Sequence, residues 1–245
     1  MTQAQLHAQD ASAMASPRRR GAGARQRSGQ AGIGVLKSAG PILSLLAMVA
    51  VFTSLTPNFL SGANLQAILE SAAVPAVVAI GMTFVLVQGS IDLSSEGVAS
   101  LANILLSILI ANSVTAYDLG AGAILVALAA GLAVGVLNGI LYAYLRMPSL
   151  IVTLAMWLIT LGLAALLFPS RQPQILDSGV VGLALHKHFG LSALVYLAVA
   201  FAFIAFIVER RTKLGRIGFA IGADEALVRL AGVNVNLCKV SAFAI

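Results

Sequence analysis

The sequence predicts an all-α fold, a polytopic bundle of transmembrane helices. Of 245 residues, 59% are hydrophobic and only 10% charged, where an ordinary soluble domain carries about 25% charged residues. So few charges cannot cover a water-soluble globule of this size. The apolar residues fall in runs of about 20, the length that crosses about 30 Å of hydrocarbon. Within such runs every backbone amide must be paired, which leaves helices, since a closed barrel would need alternating polarity over about ten residues per strand. A soluble enzyme, a disordered regulator and a disulfide-stapled secreted domain are excluded, the last by the single cysteine, Cys238.

Residues 1–38 are rich in Ala, Gln, Gly, Ser and Arg, lack apolar periodicity, and read as a disordered, basic cytoplasmic tail. A secretory or twin-arginine signal fits poorly. Arg18, Arg19 and Arg20 lie well before the apolar run, and no small-x-small cleavage site follows it. Residues 39–245 read as one membrane domain. Its apolar segments are expected near 40–57, 65–88, 96–114, 119–145, 150–169 and 190–208, six complete helices, with a seventh beginning at Ser241.

Charge orients the bundle. The net charge is +6, and twelve of the fifteen cations flank membrane segments: Arg18, Arg19, Arg20, Arg25, Arg27 and Lys37 before the first, and Arg210, Arg211, Lys213, Arg216, Arg229 and Lys239 after the sixth. With the N-terminus in the cytoplasm, the links 57–64 and 112–118 fall outside and carry no Lys or Arg. Arg146 and the stretch 209–239 fall inside, and only Arg171 and Lys187 land outside. This distribution points to a bilayer and not to nucleic acid.

Several residues stand out within the segments. Gly131, Gly135 and Gly139 are four apart and leave one helix face open to a neighbouring backbone. Asn138 beside them can bond across helices or line a polar path. Pro75 predicts a kink in the second segment. The stretch Gln88-Gly89-Ser90-Ile91-Asp92-Leu93-Ser94-Ser95-Glu96-Gly97 places two carboxylates and three serines between apolar helices. It reads either as a turn capped by Ser94 or Asp92 or as a broken segment on a polar path. His186 and His188 lack further ligands at metal-binding spacing. No P-loop, G-x-S-x-G elbow or H-E-x-x-H motif occurs, so nucleotide hydrolysis is not expected of this chain. In 209–239, Asp224 is a good N-cap and Gly232 a good terminator for a short helix, with Leu227 and Leu230 on one face. Too small to be stable alone, that helix calls for a partner's groove.

Four blocks, in order, resemble the permease subunits of ribose-type bacterial ABC sugar importers: Ala79-Ile80-Gly81-Met82-Thr83-Phe84 running into Gly89-Ser90-Ile91-Asp92-Leu93-Ser94; Leu137-Asn138-Gly139; Pro148-Ser149-Leu150-Ile151-Val152-Thr153-Leu154; and Gly215-Arg216, Ile221-Gly222 and Arg229-Leu230-Ala231-Gly232-Val233-Asn234. The resemblance implies a subunit of the bacterial inner membrane that works with a second permease copy, cytoplasmic ATPase subunits and a periplasmic sugar-binding protein, and that needs no cofactor. It implies an ATPase-coupling segment with Gly215, Arg216, Gly222, Asp224, Glu225, Leu227, Arg229, Leu230 and Gly232. Sugars are neutral and polyhydroxylated, so Asp92, Ser94, Asn103, Asn138 and Thr153 are the expected lining of the path.

The chain departs from the family pattern at Ser90, where a second glycine is usual, and at Asp224, Leu227 and Val228, where Asn, Ala and Ala are usual. Family members continue for several more helices, so the chain reads as C-terminally truncated, and a permease fragment is one rival. Others are an ion-coupled secondary transporter using Asp92 or Glu70 and an intramembrane protease, which lacks a Ser/His pair or paired aspartates within the membrane segments.

Overall fold

The computed structural model describes residues 23–245, and the side chains of 39–245. The chain forms two units divided between Ser61 and Gly62. The first contains helix α1 (Gly23–Leu55). The tail expected over 1–38 lies outside the described residues up to position 22, and helix begins at Gly23, inside that stretch. In the apolar part, Thr53 donates its hydroxyl to the Val49 carbonyl at 2.7 Å and Ser54 to that of Val51 at 2.7 Å. Back-bonding of this kind leaves no hydroxyl unpaired against hydrocarbon.

The second unit contains α2 (Gly62–Val87), α3 (Ser95–Leu109), α4 (Ala121–Ala143), α5 (Ser149–Leu167), α6 (Ser178–Leu185), the strands β1 (Lys187–His188) and β2 (Leu191–Ser192), α7 (Ala193–Arg211), α8 (Lys213–Ala223), α9 (Glu225–Leu230) and α10 (Val235–Phe243). Of these, α2, α4, α5 and α7 are long and apolar enough to cross a bilayer. The sixth expected segment, 190–208, is shifted. A hairpin turning at Phe189 and Gly190, both with positive φ, precedes α7, and the helix continues to Arg211.

The third segment, expected over 96–114, is helical for 15 residues only, about 22 Å at 1.5 Å per residue. Asn112 ends it. Its amide donates to the carbonyls of Ile108 and Ile110 while its Oδ1 accepts from the amides of Val114 and Thr115. These bonds turn the chain out of the helix. The freed strand pairs with a distant one: Ser113 N–H donates to the Gln174 carbonyl and Leu176 N–H to the Ala111 carbonyl. Pro75 stands within a continuous α2.

Helix α3 packs on α4 and α5, burying Leu101, Ile104, Val134 and Ala164 together. Helix α2 packs on α7 through Ala73, Val195 and Ala198. Helix α10 lies against both α4 and α2, with Val85, Ala242 and Phe243 as its core. It begins at Val235, six residues before the expected seventh segment, because Asn234 caps it by accepting from Leu237 N–H at 3.1 Å.

The glycine stripe of α4 is the surface on which α10 lies. A Cβ on Gly135 would overlap the Phe243 carbonyl, and one on Gly139 would sit 2.6 Å from Val240 Cα. Both obstacles are backbone, which cannot swing aside as a side chain can. Gly131 differs, since its Cβ would meet Val98 Cγ1 at an ordinary 3.6 Å. Gly139→Ala should therefore destabilise the detergent-solubilised chain by about 1–3 kcal/mol through overpacking. Gly131→Ala should leave it unchanged or stabilise it by roughly 0.5–1 kcal/mol through helix propensity. Thermal unfolding of the two variants side by side checks the contrast.

Candidate functional site

The stretch between α2 and α3 carries most of the polar residues singled out in the sequence, and the fold closes three other segments around it. Gly89 ends α2 with φ of +77°, a backbone state glycine adopts freely. Ser90, the departure from the family's second glycine, has no such φ, so the serine needs no unusual backbone there. Asp92 Oδ1 accepts from both the amide and the hydroxyl of Ser94, at 2.8 and 2.7 Å. These bonds form a turn ahead of α3, and neither Asp92 nor Ser94 caps the first amides of the helix with its side chain. Asn138 of α4 donates its amide to Ser94 Oγ at 2.9 Å and is fully buried, as is Thr153. Ile91 N–H donates to Ser149 Oγ at 3.2 Å, and Thr153 Oγ1 donates to the Ile91 carbonyl at 3.4 Å. The start of α5 therefore holds the break from a second side.

The third side comes from 209–239. Besides the short helix expected from Asp224, this stretch contains a second one, Lys213–Ala223. Glycines recur on one of its faces at 215, 218 and 222. That face lets α8 lie along the end of α2: a Cβ on Gly222 would overlap the Val87 carbonyl, and Gly218 faces Gln88. Gly215 sits against the Glu209 backbone, where α7 turns into α8. Gln88 donates its amide to the Cys238 carbonyl at 3.4 Å. All four blocks thus meet at one end of the unit. Asp92, Ser94, Asn138 and Thr153 belong to this joint, while Asn103 lies elsewhere, exposed on α3.

Helix α9 matches the expected short helix. Asp224 Oδ1 accepts from Leu227 N–H at 3.1 Å, and Gly232 follows the helix with φ of +78°. Leu227 is 64% exposed and Leu230 84%, so the apolar face is open. Arg216 is exposed on α8. The other face of α9 is anchored. Glu225 meets Arg229 at 2.7 Å and Lys239 at 2.6 Å, Arg229 also donates to Asn236 Oδ1 at 3.3 Å, and the Lys239 ammonium lies 4.6 Å from the centre of the Tyr142 ring. Lys239 is only 7% exposed, so a charge that is costly to bury is held by one carboxylate and one aromatic face. The sequence reading used Lys239 only as a flanking cation. Its place inside an otherwise apolar stretch was the available signal, but its acceptor lies 14 residues away.

At the opposite end, Lys187 bridges to Glu70 at 3.0 Å. The two carboxylates considered for ion coupling are therefore both engaged, Glu70 by Lys187 and Asp92 by Ser94.

With this geometry in place, the comparisons with known proteins are decisive. The family described as "Branched-chain amino acid transport system / permease component" matches residues 64–245. The chain belongs to this permease family. The ribose import permease protein of Escherichia coli K12 is 29% identical over 211 residues, covering 83% of this chain and 64% of the relative. The L-arabinose ABC transporter permease protein of Azospirillum brasilense is 30% identical, covering 86% and 61%. The galactose/methyl galactoside import permease protein of Salmonella typhimurium is 29% identical, covering 86% and 67%. The chain thus spans about three fifths to two thirds of the length of the curated relatives it matches. No solved structure matches it. The shared region takes in the whole joint of this permease.

The Lys239 and Arg229 cations hold the Glu225 carboxyl below its usual range, through hydrogen bonds first and charge second. A carboxylate with a lowered folded pKa contributes stability above its unfolded pKa and loses it as pH falls through the folded value. Attachment of α9 should therefore be constant from neutral pH down to the ordinary carboxylate range and weaken below it. Glu225→Gln should loosen α9 already at neutral pH and more than Lys239→Met, since it leaves a buried ammonium unpaired. Hydrogen exchange of amides 225–230, corrected for intrinsic rates, measures both effects.

Proposed function

We propose that this chain is a membrane-spanning subunit of an ATP-driven importer that passes a sugar, of pentose or hexose type, into the cytoplasm. It works with a second copy of itself, cytoplasmic ATPase subunits and a periplasmic sugar-binding protein, in the bacterial inner membrane, its N-terminus cytoplasmic. ATP hydrolysis belongs to the partner subunits. The relatives named for ribose, arabinose and galactose support the solute class and the ABC type.

The observation that carries the mechanism is the two-faced character of α9. One face offers Leu227 and Leu230 outward. The other is tied through Glu225 and Lys239 to α10, which lies on the glycines of α4. A nucleotide-driven movement of an ATPase groove holding the leucines would be transmitted to α10 and α4, and through Asn138 to Ser94 and α3. ATP is the ligand that distinguishes the two states of such a cycle. Gly222 seats α8 on the end of α2 and Gly215 seats it against the end of α7, so that helix shares the movement, and Arg216, Asp224, Arg229 and Gly232 shape the surface presented to the ATPase.

Leu227→Asp and Leu230→Asp should each weaken binding of the ATPase at least about tenfold, because a carboxylate would be desolvated in an apolar groove. Co-purification of ATPase with the tagged chain measures this, and undiminished recovery with both variants overturns the assignment. Orientation has its own test. A membrane-impermeant thiol reagent should label Cys238 in inverted vesicles and not in intact cells.

A further inference from the structure

At the end of the unit away from the joint, a cleft of about 950 Å³ lies beside the packed helices α3 and α5, roofed by residues 172–175. Ser100, Asn103 and Ser107 line it from α3, three and four residues apart and therefore on one helix face. Gln172 and Gln174 line it from the roof, and the ring of Phe168, 54% exposed, lines it from the end of α5. Among the described residues, none of those five polar side chains has a hydrogen-bond partner within the protein. The neighbouring helices are among the most apolar of the chain. The unpartnered amide and hydroxyls on the membrane helix α3 call for water or a polar ligand, and the two roof amides stand beside them. No charged side chain lines the cleft among the described residues, so nothing there favours an anion or a cation.

We infer that this cleft binds a neutral, polyhydroxylated solute, with Asn103 at its centre and Ser100, Ser107, Gln172 and Gln174 as its hydrogen-bonding groups. Amides and hydroxyls both donate and accept, as sugar hydroxyls do. Phe168 offers an apolar surface to the C–H face of the ring. Convergent neutral polar groups on an otherwise apolar wall are the ordinary composition of a small-molecule site, and the volume lies in the usual range. Asn103 was expected on the path from sequence; the other four polar residues were not. The inference rests on the sugar-importer reading above and assigns its solute-contacting residues to this cleft.

The test uses the full chain with its ATPase and binding protein in cells, with D-ribose, L-arabinose and D-galactose as probes. Cys238→Ser removes the single cysteine, and Asn103→Cys and Ser107→Cys are then introduced one at a time. A membrane-impermeant maleimide should label both from outside, and a transported sugar should slow labelling about fivefold or more. Asn103→Leu, which suits a membrane helix, should lower uptake about tenfold, as expected for one lost hydrogen bond to substrate, while ATPase co-purification is unchanged. Sugar-independent labelling, or wild-type uptake by Asn103→Leu, overturns the cleft assignment where the unsubstituted chain transports a probe. Failure of the unsubstituted chain to take up any of the three overturns the sugar reading itself, while intact ATPase binding by that chain would preserve the coupling role of α9.

Discussion

The architecture of the second unit depends on a close approach of two backbones. Helix α10 can lie on α4 only because Gly135 and Gly139 carry no side chain where the main chain of Val240 and Phe243 passes. Apolar side chains gain little by leaving lipid for one another, so contact distance and polar pairing decide which membrane helices associate. Once α10 is seated, its other side meets α2 through Val85 and Phe243. It thereby joins the α3–α4–α5 packing to that of α2, α7 and α8. The ion pair from Lys239 then adds α9 to the same element.

A second consequence of the membrane setting is the treatment of the break at 88–94. Side chains of two other segments meet it, Ser149 and Thr153 of α5 and Asn138 of α4, and within the break Asp92 pairs with Ser94, while the buried Ser90 hydroxyl has no partner among the described residues. This is why polar residues in four separated blocks sit in one place: an irregular backbone among membrane helices persists only where protein or water satisfies it. The joint and the open polar cleft on α3 lie at opposite ends of the unit.

Much of this was legible in the sequence. Composition and run length gave the helical membrane fold, and the spacing of Gly131, Gly135 and Gly139 announced a close contact. Asp224 and Gly232 marked the limits of α9 because capping is local chemistry. What escaped was what depends on distant partners. Hydropathy could not foresee that Asn112 would stop α3 at Leu109, since the bonds that do so belong to a turn. It could not choose between the cross-helix and path readings of Asn138, because its partner Ser94 is 44 residues away. Helix α8 was missed because its glycines, which lower intrinsic helix propensity, are repaid by contact with the end of α2.

The pairing of the strand after α3 with the segment after α5 constrains how the cleft can change shape. Ser113 and Ala111 are bonded through the main chain to Gln174 and Leu176, and Gln174 N–H also donates to Ser113 Oγ. The roof is thus stapled to the C-terminal extension of α3, the helix that forms one wall. The chain through residues 168–171 ties the roof to α5 as well, so it is held to both walls.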